Sequence, residues 1–137
     1  MLGEAVRALI LDEHDRQGPD FVQGADINTY LAKLDEHAEV VSETVSGRCR
    51  GFVAFYCDDL ASRRAYITMV IVDPCDRGTG LGKWLVTSVL KTVKQRGFAS
   101  CRLEVAERNE AAYSLYRSLG FQLIERRDRM HLLEVVL

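Results

Sequence analysis

The stretch Val70-Ile71-Val72-Asp73-Pro74-Cys75-Asp76-Arg77-Gly78-Thr79-Gly80-Leu81-Gly82-Lys83 decides how this chain is read. It joins the most β-prone run, Ala65 to Val72, to the longest amphipathic helical pattern, from about Gly80 to Arg96. Tyr, Ile, Thr and Val dominate the first of these, and both of its faces are apolar, as expected of a central strand. Asp73-Pro74 ends the strand. In the helix the apolar stripe is expected at Leu81, Trp84, Leu85, Ser88, Val89, Thr92 and Val93, and Gly97 closes it.

Working outward, Ala5, Val6, Leu9 and Ile10 have the spacing of a helix over residues 3–15, broken by Gly18-Pro19. Asp26 caps a second helix carrying Ile27, Tyr30, Leu31 and Leu34. Val40 to Val45 and Gly51 to Cys57 read as a hairpin about Ser46-Gly47, followed by a polar turn from Asp58 to Arg64. Ser100 to Ala106 is a strand, Asn109 opens a helix that Gly120 ends, and Phe121 to Arg126 with Met130 to Val136 form a last hairpin turning near Asp128. The order predicts an α/β fold with one parallel crossover, right-handed by the general rule.

The chain has 137 residues, one domain's worth, so a single domain over residues 1–137 is expected. Hydrophobic residues at 47% and charged residues at 28% are a globular composition, not a disordered one. No apolar run approaches a membrane span, and the first residues lack a signal-peptide pattern. A net charge of −2 argues against a nucleic-acid partner. Its distribution is uneven: residues 1–40 carry nine acids against three bases, and residues 77–137 six against eleven. The four cysteines (Cys49, Cys57, Cys75, Cys101) form no CxxC pair, and the three histidines (His14, His37, His131) are scattered. No metal site is expected, and a reducing, cytoplasmic setting is.

Arg77-Gly78-Thr79-Gly80-Leu81-Gly82 is chemically suited to wrap a pyrophosphate. Its glycines accept positive φ and leave no Cβ in the way, and the helix that follows begins with free N–H groups and a positive dipole end. A P-loop fails on spacing, because Gly78 and Gly82 are one residue too close and Trp84 follows Lys83. The G-x-G-x-x-G dinucleotide fingerprint fails too, since the spacing here is G-x-G-x-G. Arg77, Gly80 and Gly82 fit a third pattern, Arg or Gln, two residues, Gly, one residue, then Gly or Ala. In this the segment resembles the acetyl-coenzyme A loop of the GNAT superfamily of N-acetyltransferases. The resemblance continues through Val70-Ile71-Val72-Asp73-Pro74, Leu103-Glu104-Val105, Asn109, Ala112, Leu115-Tyr116 and Gly120-Phe121, roughly residues 50–127.

The resemblance implies a mixed, mostly antiparallel sheet flanked by helices. Its central parallel pair is the family's β4/β5, here Ala65 to Val72 and Ser100 to Ala106. An opening strand usual in the family is weak or absent in this chain. The resemblance also implies acetyl-CoA as cosubstrate, its pantetheine arm on the backbone of Val70, Ile71 and Val72 and its diphosphate on Arg77, Gly78, Thr79, Gly80, Leu81 and Gly82. Lys83 adds positive charge, and Asn109 bonds the pantetheine besides capping its helix. Arg77 reaches a phosphate or only screens the loop. Tyr116 is the implied general acid, its alternative being a packing tyrosine. Many relatives place a Glu base where this chain has Thr68, so Glu104 is the replacement, against a structural Glu104 with water as the relay.

An amine acceptor is therefore expected, a small molecule such as an amino sugar or polyamine, or a protein or peptide amine. A non-catalytic acetyl-CoA-binding module is the alternative from another class. Asp12, Glu13, Asp15, Asp20 and Asp26 are the exposed acids that would attract a cationic acceptor. The apolar run Met130 to Leu137, taken as an edge strand, would invite a homodimer.

Overall fold

The computed structural model describes residues 2–18, 21–22 and 26–137. Two helices come first, α1 (Glu4–Gln17) and α2 (Ile27–His37), the latter capped by Asp26, whose carboxylate accepts the Thr29 N–H. Then follow β1 (Glu39–Val45), β2 (Arg48–Tyr56), β3 (Arg64–Val72), α3 (Leu81–Gln95), β4 (Ser100–Ala106), α4 (Glu110–Ser118), β5 (Gln122–Arg127) and β6 (Met130–Val136). A 3-10 turn, Pro74–Asp76, lies between β3 and the glycine bend. Ser46 and Gly47, both at positive φ, make the β1–β2 turn, a geometry that matches the natural twist of a hairpin.

The sheet runs β1-β2-β3-β4-β6-β5. All neighbours are antiparallel except β3 and β4, which α3 connects. This is the mixed sheet expected. No strand precedes Glu39 among the described residues, so the parallel pair is third and fourth here rather than fourth and fifth.

Each face of the sheet has its own core. Val53, Phe55, Ala65, Ile67, Cys101, Leu103, Val105, Leu133 and Val135 pack under α3 and α4. Phe52, Ala54 and Ile71 pack with Val6, Leu9 and Ile10 of α1 and Leu31 and Leu34 of α2. Period-two alternation divides the strands between the two faces, with one change of phase in β3, where Ala65 and Ile67 face the first core and Ile71 the second.

Three expectations need correction. Trp84 is 54% exposed and lies off the apolar stripe of α3, whose buried residues are Leu85, Val86, Val89 and Val93. At 100° per residue, Val86 rather than Trp84 falls on the arc facing the sheet. The run Met130 to Leu137 does not form an edge, because β6 is inserted between β4 and β5 and its backbone is paired on both sides. The edge on that side is β5, whose Glu125, Arg126 and Arg127 are exposed and charged, a pattern that discourages strand addition. Glu13 is not an exposed acid but a buried one, 4% exposed. Of the other acids named with it, Asp12 and Asp15 are exposed, Asp26 is engaged as a cap, and Asp20 lies outside the described residues.

Candidate active site

The site begins where β3 leaves its parallel neighbour. Pairing between β3 and β4 runs only from Arg64 opposite Ser100 to Ile67 opposite Leu103. At that point the β2–β3 register shifts, with Ala54 opposite Met69 and Phe55 opposite Ile67, so Thr68 is the extra residue of a bulge. A bulge bends its strand and increases the local twist, which carries the end of β3 away from β4.

The exposed backbone groups can be named. The Asp73 N–H donates to the Arg50 carbonyl at 2.8 Å, in register with Val72 opposite Gly51. In an antiparallel ladder bonded and non-bonded residues alternate, so Ile71 and Asp73 face β2 while Val70 and Val72 face the open side. Val70 and Val72 therefore turn backbone groups toward the open side, whereas the backbone of Ile71 pairs with β2 and its side chain lies in the core under α1 and α2.

After the 3-10 turn, Gly78 and Gly80 have φ of +79° and +84°, and a Cβ built on either would meet nothing within 4 Å. The bend is an open cradle that no side chain fills. Gly80 is the N-cap of α3 without a side-chain cap, and the first helical N–H to find a partner is that of Trp84, on the Gly80 carbonyl. The amides of Leu81, Gly82 and Lys83 precede it and are free of the helix ladder. Gly82 lies between two other parts of the site, since a Cβ there would sit 3.5 Å from Val72 Cγ2 and 3.7 Å from Leu115 Cδ2. The end of β3, the start of α3 and α4 thus converge on one glycine.

Side chains hold the bend from below. Asp76 is buried, accepting from Arg48 Nη1 and Arg50 Nε at 2.9 Å each. Those hydrogen bonds hold its carboxyl below the usual range, against burial that acts to raise it. The Thr79 hydroxyl donates to the Asp76 carbonyl at 2.7 Å, so it braces the turn from within. Arg77 does not reach over the cradle: its Nη2 donates to Glu13 on α1 at 3.1 Å and its Nε to the Val72 carbonyl at 3.2 Å. Lys83 is exposed at the first turn of α3.

Asn109 caps α4, its Oδ1 accepting from the Ala112 N–H at 3.1 Å. Tyr116 is buried against Phe121 in an edge-to-face contact, ring centroids 5.8 Å apart. Its hydroxyl bonds no described residue, and burial pushes the phenol up to about 12.

The other face of the sheet carries a second group. Leu103 and Val105 face the α3 core, so Glu104 between them faces the opposite way, half-buried, with Oε1 3.8 Å from Arg127 Nη1. The Tyr30 hydroxyl of α2 lies 2.8 Å from Thr68 Oγ1 and 3.2 Å from the Thr68 carbonyl, directly on the bulge. Tyr66 is raised to about 12, chiefly by burial and then by the charge of Glu104.

Three positioning features escaped the sequence reading. Gly51 allows α3 to rest on β2; a Cβ there would lie 3.1 Å from the Ile71 carbonyl and 3.2 Å from both Leu81 Cδ2 and Leu85 Cδ1. Arg127 beside Glu104 carried no local signal. Glu13 did: it continues the buried spacing Val6, Leu9, Ile10, and a charge in that register asks for a partner.

A splayed parallel pair, a helix start without a side-chain cap at its mouth and a buried tyrosine on the next helix meet at one groove of an α/β fold. The chain belongs to the acetyltransferase (GNAT) family, whose model matches residues 5–121. It is 30% identical over 127 residues to the mycothiol acetyltransferase of Saccharomonospora viridis, a match covering 88% of this chain and 42% of that protein. Its fold is similar to the ribosomal-protein-S18-alanine N-acetyltransferase of Escherichia coli, with a TM-score of 0.77 at 22% identity over 98% of this chain and 90% of that one. It is also similar to the PaiA N-acetyltransferase of Thermoplasma acidophilum, solved in complex with coenzyme A, with a TM-score of 0.67 at 17% identity over 100% and 80%. The chain spans less than half the length of the first curated relatives it matches. Among the described residues no helix is long and apolar enough to cross a membrane.

Proposed function

We propose that this chain transfers an acetyl group from acetyl-CoA to a primary amine by direct attack. The observation that carries this reading is the convergence at Gly82 of the open edge of β3, the free amides of α3 and the helix bearing Tyr116. Acetyl-CoA supplies an activated thioester. The chain's part is to hold it, with the unpaired groups of Val70 and Val72 for the pantetheine amides and the amides of Gly78 to Lys83 for the diphosphate. The Val72 carbonyl is already taken by Arg77, which leaves the Val70 N–H and carbonyl and the Val72 N–H for the arm. Polarisation of the thioester carbonyl falls to the Val70 N–H. Tyr116, protonated across the working pH range, donates to the departing thiolate. Glu104, on the opposite face, takes the proton of the acceptor amine, directly or through a water.

The acceptor we favour is a small-molecule amine such as an amino sugar or polyamine, a reading supported by the similarity to a relative named for mycothiol. An N-terminal peptide amine is the second reading, supported by the likeness in fold to an enzyme named for an alanine of a ribosomal protein. Incubating the protein with acetyl-CoA and a panel of amino sugars, polyamines and short peptides, while following free thiol, separates the two. Thiol release with one class and a matching acetyl mass shift is the expected result. Coenzyme binding without release for any amine would favour the non-catalytic alternative.

A further inference from the structure

Glu13 is one of two charged side chains buried among the described residues, and its partners come from two distant parts of the chain. Arg16 and Gln17, one turn on along α1, donate to it locally, Arg16 through Nε at 2.8 Å and Gln17 through Nε2 at 2.6 Å. Arg77 donates to the same carboxylate from the first residue of the glycine bend. The other arm of that guanidinium is fixed on the Val72 carbonyl, at the last residue of β3. Arg77 is thereby a strut with both ends anchored, joining α1 to the point where the strand ends and the cradle begins. Burial acts to raise the Glu13 carboxyl, but the hydrogen bonds from Gln17 and Arg16 and the charges of Arg16 and Arg77 outweigh it and hold it below the usual range. The carboxylate therefore stays charged and keeps its grip on the strut.

We infer that Glu13 is a positioning residue for the coenzyme cradle: through Arg77 it fixes the end of β3 and the first residue of the bend, so that coenzyme affinity depends on α1. The inference rests on reading the bend as the coenzyme cradle, and it gives Arg77 a role other than binding phosphate by its side chain. Two sites coupled through one strut share their energy, so removing either end of it removes the same contribution.

The test is a double-mutant cycle by calorimetry with coenzyme A on the wild type, Glu13→Gln, Arg77→Gln and the pair. Each single change is expected to weaken binding about tenfold, within the usual range of coupling between sites, and the pair to bind no worse than the weaker single. Amide hydrogen exchange over residues 76–83 of the coenzyme-free protein is expected to quicken in both singles. Multiplicative losses in the pair would mean that Glu13 acts apart from Arg77, and tighter binding by Glu13→Gln would mean that the freed guanidinium reaches the phosphates; either overturns the inference. So does wild-type affinity in the variants, which leaves the acetyltransferase reading standing. A wild type that binds no coenzyme removes both. Should Glu13→Gln not fold, Arg77→Lys keeps the charge without the fork, and weaker binding with faster exchange, or neither, decides in the same way.

Discussion

The two sides of the sheet at the open end of β3 are made of different materials. On the α3 side, Tyr116 apart, the groups that face the groove are main-chain: the edge of Val70 and Val72, the bend from Gly78 to Gly80 and the first amides of α3. On the α1 and α2 side they are side chains: Tyr30 on the bulge at Thr68, and Glu104 beside Arg127. Backbone groups are placed by where a strand twists and a helix starts, so they persist as long as the fold does. Side-chain groups can be exchanged singly at little cost to the fold. Under the proposed function, this difference would let the fold hold its coenzyme while the acceptor side is altered residue by residue.

The largest effect should come from breaking the backbone side. Gly80 has φ of +84° with open space around it, so Gly80→Val meets no clash in the cradle itself. The left-handed conformation costs an ordinary residue about 1–2 kcal/mol and a β-branched one more. Escape from it would turn the amides of the bend away from the diphosphate, and the new side chain would fill the cradle. Coenzyme affinity measured by calorimetry should fall about a hundredfold, the scale of losing one or two charge-assisted bonds, while circular dichroism shows an intact fold. Retained affinity would refute the cradle.

Tyr116→Phe separates grip from chemistry on that same side. The ring and its contact with Phe121 remain, so coenzyme affinity and melting temperature should hardly move. Turnover should fall at least about tenfold through loss of the proton donor. The pH dependence adds a check with a definite sign. A phenol held near 12 by burial keeps its proton well past the ordinary value of about 10, so activity that needs the protonated form is lost only as pH rises toward 12. An alkaline fall centred near 10 and abolished in Tyr116→Phe would contradict the buried donor.

The same division explains what could be read from the chain in advance. A bend at positive φ demands glycine, a strand between two cores demands apolar residues on both faces, and a helix start demands a cap; such demands leave their mark in local sequence. Asn109 and Asp26 were legible as caps for that reason. The side-chain side leaves no comparable mark, because Glu104 and Arg127 meet across β6 from strands far apart in the chain. The edge expected at Met130 to Leu137 failed because strand order is not encoded in any one strand: an apolar run suits an interior position as well as an edge. Trp84 misled because bulk and hydrophobicity argued for burial while helical phase argued against it. Arg77 was placed in the right loop, but its side-chain partner lies 64 residues away, on a helix whose buried acid was mistaken for a surface one.

Glu104→Gln is the mildest change and bears on the least backbone-determined group. The amide keeps the size of the side chain and one acceptor oxygen but cannot take up a proton near neutral pH. If Glu104 draws the proton from the acceptor, kcat/KM should fall about tenfold near neutral pH, short of the roughly hundredfold or more that a positioned base contributes, because water can relay the proton in its place. The neighbouring Arg127, 3.8 Å from the carboxylate, supplies a control of the opposite kind. Arg127→Gln removes a positive charge from beside the carboxylate and from the approach of a cationic amine, so KM for the acceptor should drop modestly while kcat is kept. Unchanged kcat/KM in Glu104→Gln would assign the proton to a water, and the acceptor side would then differ from the coenzyme side in a stronger sense: it would supply shape and charge to the amine and no base of its own.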